Sequence, residues 1–320
     1  MKNIYFIIAA VLILLMMTLP LLSVRSEKPT PDNSSSVVSA DKPTDDPNFV
    51  AVLNGDTEKI EKIKISEYVL GVVAAEMSPN YEPEALKAQA VAAHTFLLYR
   101  KSKNENKNYD ITTDPTLDQA YINEAERKKK WGSNYEKYTN TLLSVIDEVD
   151  GLYICYNGKP ILAAYHAISG GKTESCKNVW GSDLPYLVSV ESIGDILAPN
   201  YLSTVSVSFS DFKEAFKDKC KLPNDEKKYI GKISRTKCGT VTGVTVGDKN
   251  FKGSDIRAAF SLRSSNFDIT LNDDGYTFTV RGYGHGVGMS QYGANHMAKQ
   301  GNTYKEILGW YYKGCSIAKN

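Results

Sequence analysis

The sequence predicts an α+β protein, in which mixed helices and antiparallel strands form a cleft behind an N-terminal membrane anchor. Three observations predict it. Apolar residues recur at helical spacing in two early segments and again near the C-terminus. Between them, period-two alternation surrounds Asn-Gly turns, the mark of paired strands. The chain also opens on an apolar run long enough to span a bilayer.

Composition narrows the function classes. The chain has 320 residues, 42% of them hydrophobic and 10% aromatic, enough for a sizeable core, which excludes wholesale disorder. A net charge of +1 supplies no basic field, so a broad electrostatic nucleic-acid binder is excluded. Five cysteines (Cys155, Cys176, Cys220, Cys238, Cys315) are too scattered, and odd in number, for a disulfide framework. No CxxC pair exists for a zinc ribbon or a thioredoxin-type site.

Ile4 to Val24 are almost all apolar, with Lys2 before them and Arg25 after. The run ends Leu21-Leu22-Ser23-Val24, without the small-residue pattern of a cleavage site. Residues 1–25 therefore read as an uncleaved signal anchor, oriented by Lys2 with its start in the cytoplasm. The expected location is the cell membrane, single-pass, with the rest of the chain outside. Residues 26–48 carry Pro, Ser, Asp and Lys without apolar periodicity and read as a disordered tether. Residues 49–320 make the exported domain, which such a tether lets reach a polymer beyond the membrane.

Within that domain, Phe49 to Lys64 alternates around Asn54-Gly55 and predicts two strands. Tyr68, Val69, Val72, Val73 and Met77 then follow helical spacing, with Ser66 as N-cap and a stop before Ser78-Pro79. Pro83 opens an alanine-rich helix to about Lys101, on which Lys87, Val91 and His94 share one face. Strands are predicted over Gly151–Cys155 and Ile161–His166, joined at Asn157-Gly158, and over Tyr276–Val280. Residues 188–246, including the lysine-rich segment from Lys213 to Lys237, are the expected inserted lobe. Two helices close the chain, about Ser290–Gln300 and Tyr304–Tyr312, the first stopped by Gly301 and the second opened by a Thr303/Glu306 capping box.

Three segments carry candidate chemistry. In GVVAAEMSP (71–79), Glu76 sits at the end of an apolar helix. Burial there disfavours the charged carboxylate and raises its pKa, as a general acid near neutral pH requires. Periodicity alone favours the plainer reading, in which Glu76 points to solvent at a helix end. In AYHAISGGKTE (164–174), His166 leaves an apolar strand before Ser169-Gly170-Gly171 and is placed to line a cleft. The same residues suit a structural turn with a satisfied histidine. In RGYGHGVGMSQYGA (281–294), four alternating glycines surround His285 ahead of a helix. Backbone approaches closely there, and N–H groups at the helix start are placed to face a ligand. A phosphate loop is excluded, because GK[ST] and GxGxxG are both missing. A Cys176–His285 protease lacks a nucleophile signature. A zinc site from His166 and Cys176 with Cys155 or His285 is chemically allowed but has no short-spaced ligand pair. Cys220 and Cys238 are candidates to pair outside the cell.

At VLGVVAAEMSP, EALKAQAVAAHTF, DQAY, YHAISGGKTES and GYGHGVGMSQYGANHMAKQGNTYKEILGWYYKG, in this order from about Tyr68 to Lys313, the sequence resembles the stage II sporulation protein D family. That family shares its domain with the amidase-enhancer proteins. The resemblance implies a lytic transglycosylase that cuts peptidoglycan between N-acetylmuramic acid and N-acetylglucosamine, preferring strands without stem peptides, during forespore engulfment. It places Glu76 on the catalytic glutamate and Lys87 on a basic cleft position. Gln119, Tyr121, Tyr165, His166, Ser169, His285, Ser290, Gln291 and Tyr292 fall in the matched stretches as expected glycan contacts. No metal or cofactor is expected. The implied partners are a cell-wall amidase/endopeptidase that strips the strands and a membrane protein of the engulfment complex. His94 stands where the family has arginine, so a titratable group replaces a permanent charge at that expected contact.

One glutamate suits a transglycosylase, because the sugar's own C6 hydroxyl replaces the second carboxylate that ordinary glycosidases need. Two rivals are a hydrolase that uses water and a non-catalytic glycan-binding module that recruits and stimulates an amidase.

Overall fold

Alternating apolar residues fold Phe49–Leu53 (β1) and Ile60–Lys64 (β2) into an antiparallel pair, with Leu53 opposite Ile60. The connecting loop is closed by Asn54, whose Oδ1 accepts from the N–H groups of Asp56 and Thr57. A computed structural model describes residues 46–320. The anchor predicted over 1–25 and the tether up to residue 45 lie outside the described residues. Among the described residues no helix is long and apolar enough to cross a membrane.

β2 runs directly into a helix at Ile65–Glu76 (α1), so Lys64 occupies the cap position and the expected Ser66 cap is not used. Pro79 stops α1 as predicted: Met77 is already extended. Pro83–Lys103 (α2) begins on its proline and packs its alanines against α1. Ile111–Thr112 (β3) adds to β1 in parallel. Glu124–Trp131 (α3), opened by an Asn123/Glu126 capping box, and Tyr135–Asp147 (α4) follow. Leu152–Tyr156 (β4) and Lys159–Pro160 (β5) form the predicted hairpin, in which Asn157 and Gly158 both adopt positive φ. The strand predicted to continue to His166 is reduced to Tyr165–His166 (β6), and a short helix follows at Cys176–Trp180 (α5).

Leu202–Ser208 (β7), Phe209–Phe216 (α6), Ile230–Arg235 (β8), Val241–Val246 (β9), Lys249–Phe251 (β10), Gly253–Ala259 (α7), Phe267–Leu271 (β11) and Gly275–Arg281 (β12) come next. They make two three-stranded sheets, β10-β9-β8 and β11-β12-β7. Met289–Ser290 (β13) pairs in parallel with β6 and leads into Gln291–Lys299 (α8). Tyr304–Tyr311 (α9) carries the predicted capping box, and Ser316–Lys319 (β14) pairs with β4.

The main core surrounds α1 and α2, where Val73, Leu86, Val91, Leu142, Ile154, Met289 and Ile307 are buried together. A second core, rich in aromatics such as the stacked Phe212 and Phe216 and the edge-packed Phe267 and Phe278, draws on Val207 through Val280. The expected lobe of 188–246 therefore shifts. Val190 belongs to the main core, and the lobe ends only where β12 returns to pair with β7. Cys220 and Cys238 are both free thiols; Cys238 Sγ lies 3.1 Å from Ser189 Oγ and Cys220 packs against the second core.

Candidate active site

The last residue of α1 is Glu76, and two segments donate to its carboxyl. Oε1 accepts from the Ala120 N–H at 3.3 Å, and Oε2 accepts from Gln291 Nε2 at 3.1 Å. A helix C-terminus disfavours negative charge. Here Lys130, on α3, offsets it by donating from Nζ to the Ala74 carbonyl at 2.8 Å. Burial nevertheless outweighs these neighbours and raises the Glu76 carboxyl above its ordinary value, while Gln291, Ala120 and Lys130 pull the other way. The protonated form thus persists to higher pH, the condition for a general acid.

Glu76 opens into a cleft of about 520 Å³ whose walls include Phe96, Arg100, Gln119, Tyr165, Trp180 and His285. Asp118 is the other carboxyl in this wall. Its side chain is fully shielded, ion-paired with Arg100, and accepts the Thr112 N–H at 2.9 Å. Among the described residues lining the cleft, Glu76 is the carboxyl that is not ion-paired.

Gln119 is turned inward. Its Oε1 accepts from the Tyr165 hydroxyl at 2.8 Å, and its Nε2 donates to Tyr68 Oη and the Ala93 carbonyl. These bonds fix the segment whose next residue, Ala120, aims its N–H at Glu76. Gln291, the first residue of α8, is buried; its Nε2 also lies 3.5 Å from Gln89 Oε1. His285 Nδ1 accepts from the Val287 N–H, and its ring stands 4.9 Å from Trp180. Burial, and then the Arg257 charge, lower it to about 4, so the imidazole is neutral at neutral pH.

Several expected contacts lie elsewhere. Lys87 does not line the cleft. Its ammonium pairs with Glu84 at 2.8 Å and Glu148 at 2.6 Å. His94 is buried with Nδ1 against the Leu152 carbonyl of β4, and burial lowers its pKa. The reason is rotational. The stripe of α2 that faces Glu76 and its supports is Gln89, Ala93, Phe96 and Arg100. It is offset by two residues, roughly 200°, from the predicted Lys87/Val91/His94 face.

Tyr121 stacks on Tyr68 at 5.4 Å and lines a different hollow beside β1. His166 is buried behind the cleft, donating from Nδ1 to the Val287 carbonyl, and burial lowers it to about 3. Ser169 and Ser290 both bind the buried Asp195, through the Ser169 N–H at 2.9 Å and Ser290 Oγ at 2.7 Å. Tyr292 donates its hydroxyl to the Leu197 carbonyl.

The alternating glycines serve packing. A Cβ on Gly288, at φ +74°, would lie 1.9 Å from the Ala164 carbonyl, and one on Gly282 would lie 2.5 Å from that of Ile168. The loop thereby presses against residues 164–169, and Ser290 caps the first turn of α8. At the start of α8 the Tyr292 N–H donates to the Ala167 carbonyl and the Gly293 N–H to Ser290 Oγ, so these two groups are taken up within the fold.

Among the described residues no three His, Cys, Asp or Glu side chains are grouped to hold a metal ion. Cys176 is in the main core, and Cys155 contacts Ser316 Oγ. Sequence reasoning missed Gln89, Arg100, Lys130 and Trp180. The α2 pair was legible as a second helical stripe, whereas Lys130 and Trp180 carried no local signal.

A family model described as "Stage II sporulation protein" matches residues 53–156, from β1 through β4 and including Glu76. The stage II sporulation protein D of Bacillus subtilis (strain 168) is 37% identical over 301 residues, covering 93% of this chain and 87% of its own. That of Bacillus amyloliquefaciens is 36% identical over 336 residues, covering 100% and 96%. The amidase enhancer of Bacillus subtilis (strain 168) is 27% identical over 298 residues, covering 77% of this chain and 40% of its own.

Proposed function

Because this chain belongs to the stage II sporulation protein D family, a sporulation family with an amidase enhancer among its relatives, we propose that it is a lytic transglycosylase of peptidoglycan. The observation that carries this reading is the one cleft-lining carboxyl among the described residues that is not ion-paired, Glu76, held by two donors and raised by burial.

A glycosidase that hydrolyses needs one carboxyl to protonate the leaving oxygen and another to attack or to activate water. Asp118 is shielded and committed to Arg100. The second carboxyl is therefore not supplied, and the substrate replaces it. Glu76 gives its proton to the glycosidic oxygen as the bond to C1 of N-acetylmuramic acid breaks. Positive charge builds on C1 and its ring oxygen. The C6 hydroxyl of the same sugar then attacks C1, and its proton passes to the Glu76 carboxylate. A 1,6-anhydro ring forms, N-acetylglucosamine leaves as the free end of the other fragment, and no water is consumed. Gln291 and the Ala120 N–H stabilise the carboxylate between the two proton transfers.

The apolar segment at 4–24 would hold the enzyme at the membrane, and a partner amidase would supply strands without stem peptides. The relative named amidase enhancer supports a second reading, a glycan-binding module that stimulates an amidase. The two part on Glu76→Gln. This isosteric change keeps the acceptor for Gln291 and removes the proton. It is expected to abolish release of fragments ending in 1,6-anhydro-muramic acid from stripped strands, with the circular dichroism unchanged. A folded Glu76→Gln protein that stimulates an amidase while the wild type releases nothing by itself would favour the module.

A further inference from the structure

We infer that Trp180 is a sugar-stacking platform of the cleft, holding one pyranose ring of the strand against its indole face and binding a sugar oxygen with its indole N–H; this rests on the glycan reading above. Large aromatic side chains are mostly buried, as Trp131 is at 8% exposure, yet Trp180 is 44% exposed while lining the Glu76 cleft. The chain contains a second exposed tryptophan, Trp310, whose indole N–H donates to the Glu191 carbonyl at 2.7 Å. Among the described residues the Trp180 indole N–H has no such partner.

The ring is held from beneath. Cys176 roots α5 in the main core, Ser175 caps its start, and Gly181 ends it in the left-handed conformation. Asn178 donates to Glu174, which is itself bound by Thr236. On the indole's protein side His285 packs at 4.9 Å and is neutral at neutral pH. A rigid, uncharged aromatic face with a free donor fits an uncharged ring whose C–H faces are apolar and whose rim is polar. An N-acetylhexosamine has that chemistry. Preorganisation of this kind lowers the ordering cost of binding.

The test uses the full chain in detergent micelles carrying Glu76→Gln, so that the strand is not consumed, with amidase-stripped glycan strands as the probe. Strand binding is expected to shift tryptophan emission saturably. Adding Trp180→Phe should remove that shift, whereas Trp310→Phe should keep it. Adding Trp180→Ala should weaken binding measured by calorimetry about tenfold, and Trp180→Phe, which keeps a smaller face and loses the donor, should fall between. Near-UV circular dichroism checks the folding of each. Three results overturn the inference: Trp180→Phe or Trp180→Ala binding strands within twofold of its parent, a shift that follows Trp310, or no strand binding by the Glu76→Gln chain. A wild type that binds through Trp180 but never cleaves would fail the transglycosylase reading alone. One that cleaves with an affinity indifferent to Trp180 would fail this inference alone.

Discussion

The Glu76 carboxyl is held by neighbours far away in sequence, which makes its pKa sensitive to changes at Gln291. The amide donates to the carboxylate and pulls its pKa down against burial. Gln291→Leu removes that donor, so the Glu76 pKa rises further. The alkaline limb of the activity profile, where the acid loses its proton, should move to higher pH. The turnover rate should fall about tenfold or more, because the carboxylate is no longer held between proton transfers. An unmoved limb would make Gln291 merely structural. The candidate acid itself was legible, since a glutamate after Val-Val-Ala-Ala at a helix end is an exception to local pattern. Its partners were not. Ala120 lies 44 residues away and Gln291 215, and no periodicity reports such distances.

At the scale of elements, α2 has two working faces. One carries Phe96 and Arg100 to the cleft and the buried Gln89 to Gln291, and the other carries Lys87 to Glu84 and Glu148. Glu84 also accepts the first N–H of α9, from Tyr304, at 2.7 Å. Lys87 therefore ties α2 to residue 148 and, through Glu84, to α9. Lys87→Met is expected to cost about 1 kcal/mol in urea unfolding, and Lys87→Arg, which keeps both pairs, should restore most of it. Gly288→Ala is the severe case. Its Cβ would collide with the Ala164 carbonyl at a positive φ, so a loss of about 3 kcal/mol or more is expected in the same assay. The predicted helices at 83–101, 290–300 and 304–312 agree with the structure within two residues because proline, serine and the capping box mark their ends. α3 was missed because it buries only Arg127 and Trp131, too few for a readable stripe. α4 presents Tyr135, Tyr138, Leu142, Val145 and Ile146 at helical spacing, a stripe that was legible and went unread. The glycine alternation was legible as close approach, but its target was protein backbone rather than ligand.

Over the described residues the fold consists of the Glu76 core, a smaller cluster of Val50, Val52, Tyr68, Val72, Ala93, Leu97 and Ile111 beside β1, and an aromatic core entered through β7 and left through β12. That boundary was invisible locally, because the two strands that define it pair far apart in sequence, from Gly275 with Ser208 to Arg281 with Leu202. Acid sensitivity is also a property of this scale. His166 is buried with its pKa lowered to about 3, so unfolding exposes a group that binds a proton below about pH 6.5. Its contribution is full above that value and is lost as pH falls towards 3. Buried carboxyls with raised pKa, Glu76 and Asp195 among them, act in the opposite sense. The clean measure is a difference: between pH 6 and 4, His166→Asn should take up about one proton fewer on unfolding, flattening the slope by about 1.4 kcal/mol per pH unit. An unchanged slope would place a charged imidazole in the fold. The central claim concerns the fate of water. The purified protein should be incubated with amidase-stripped strands in ¹⁸O-labelled water and the products weighed by mass spectrometry. Unlabelled fragments ending in 1,6-anhydro-muramic acid, with no net gain of water, are the predicted result. Reducing ends carrying ¹⁸O at C1 would contradict it and make the enzyme a hydrolase.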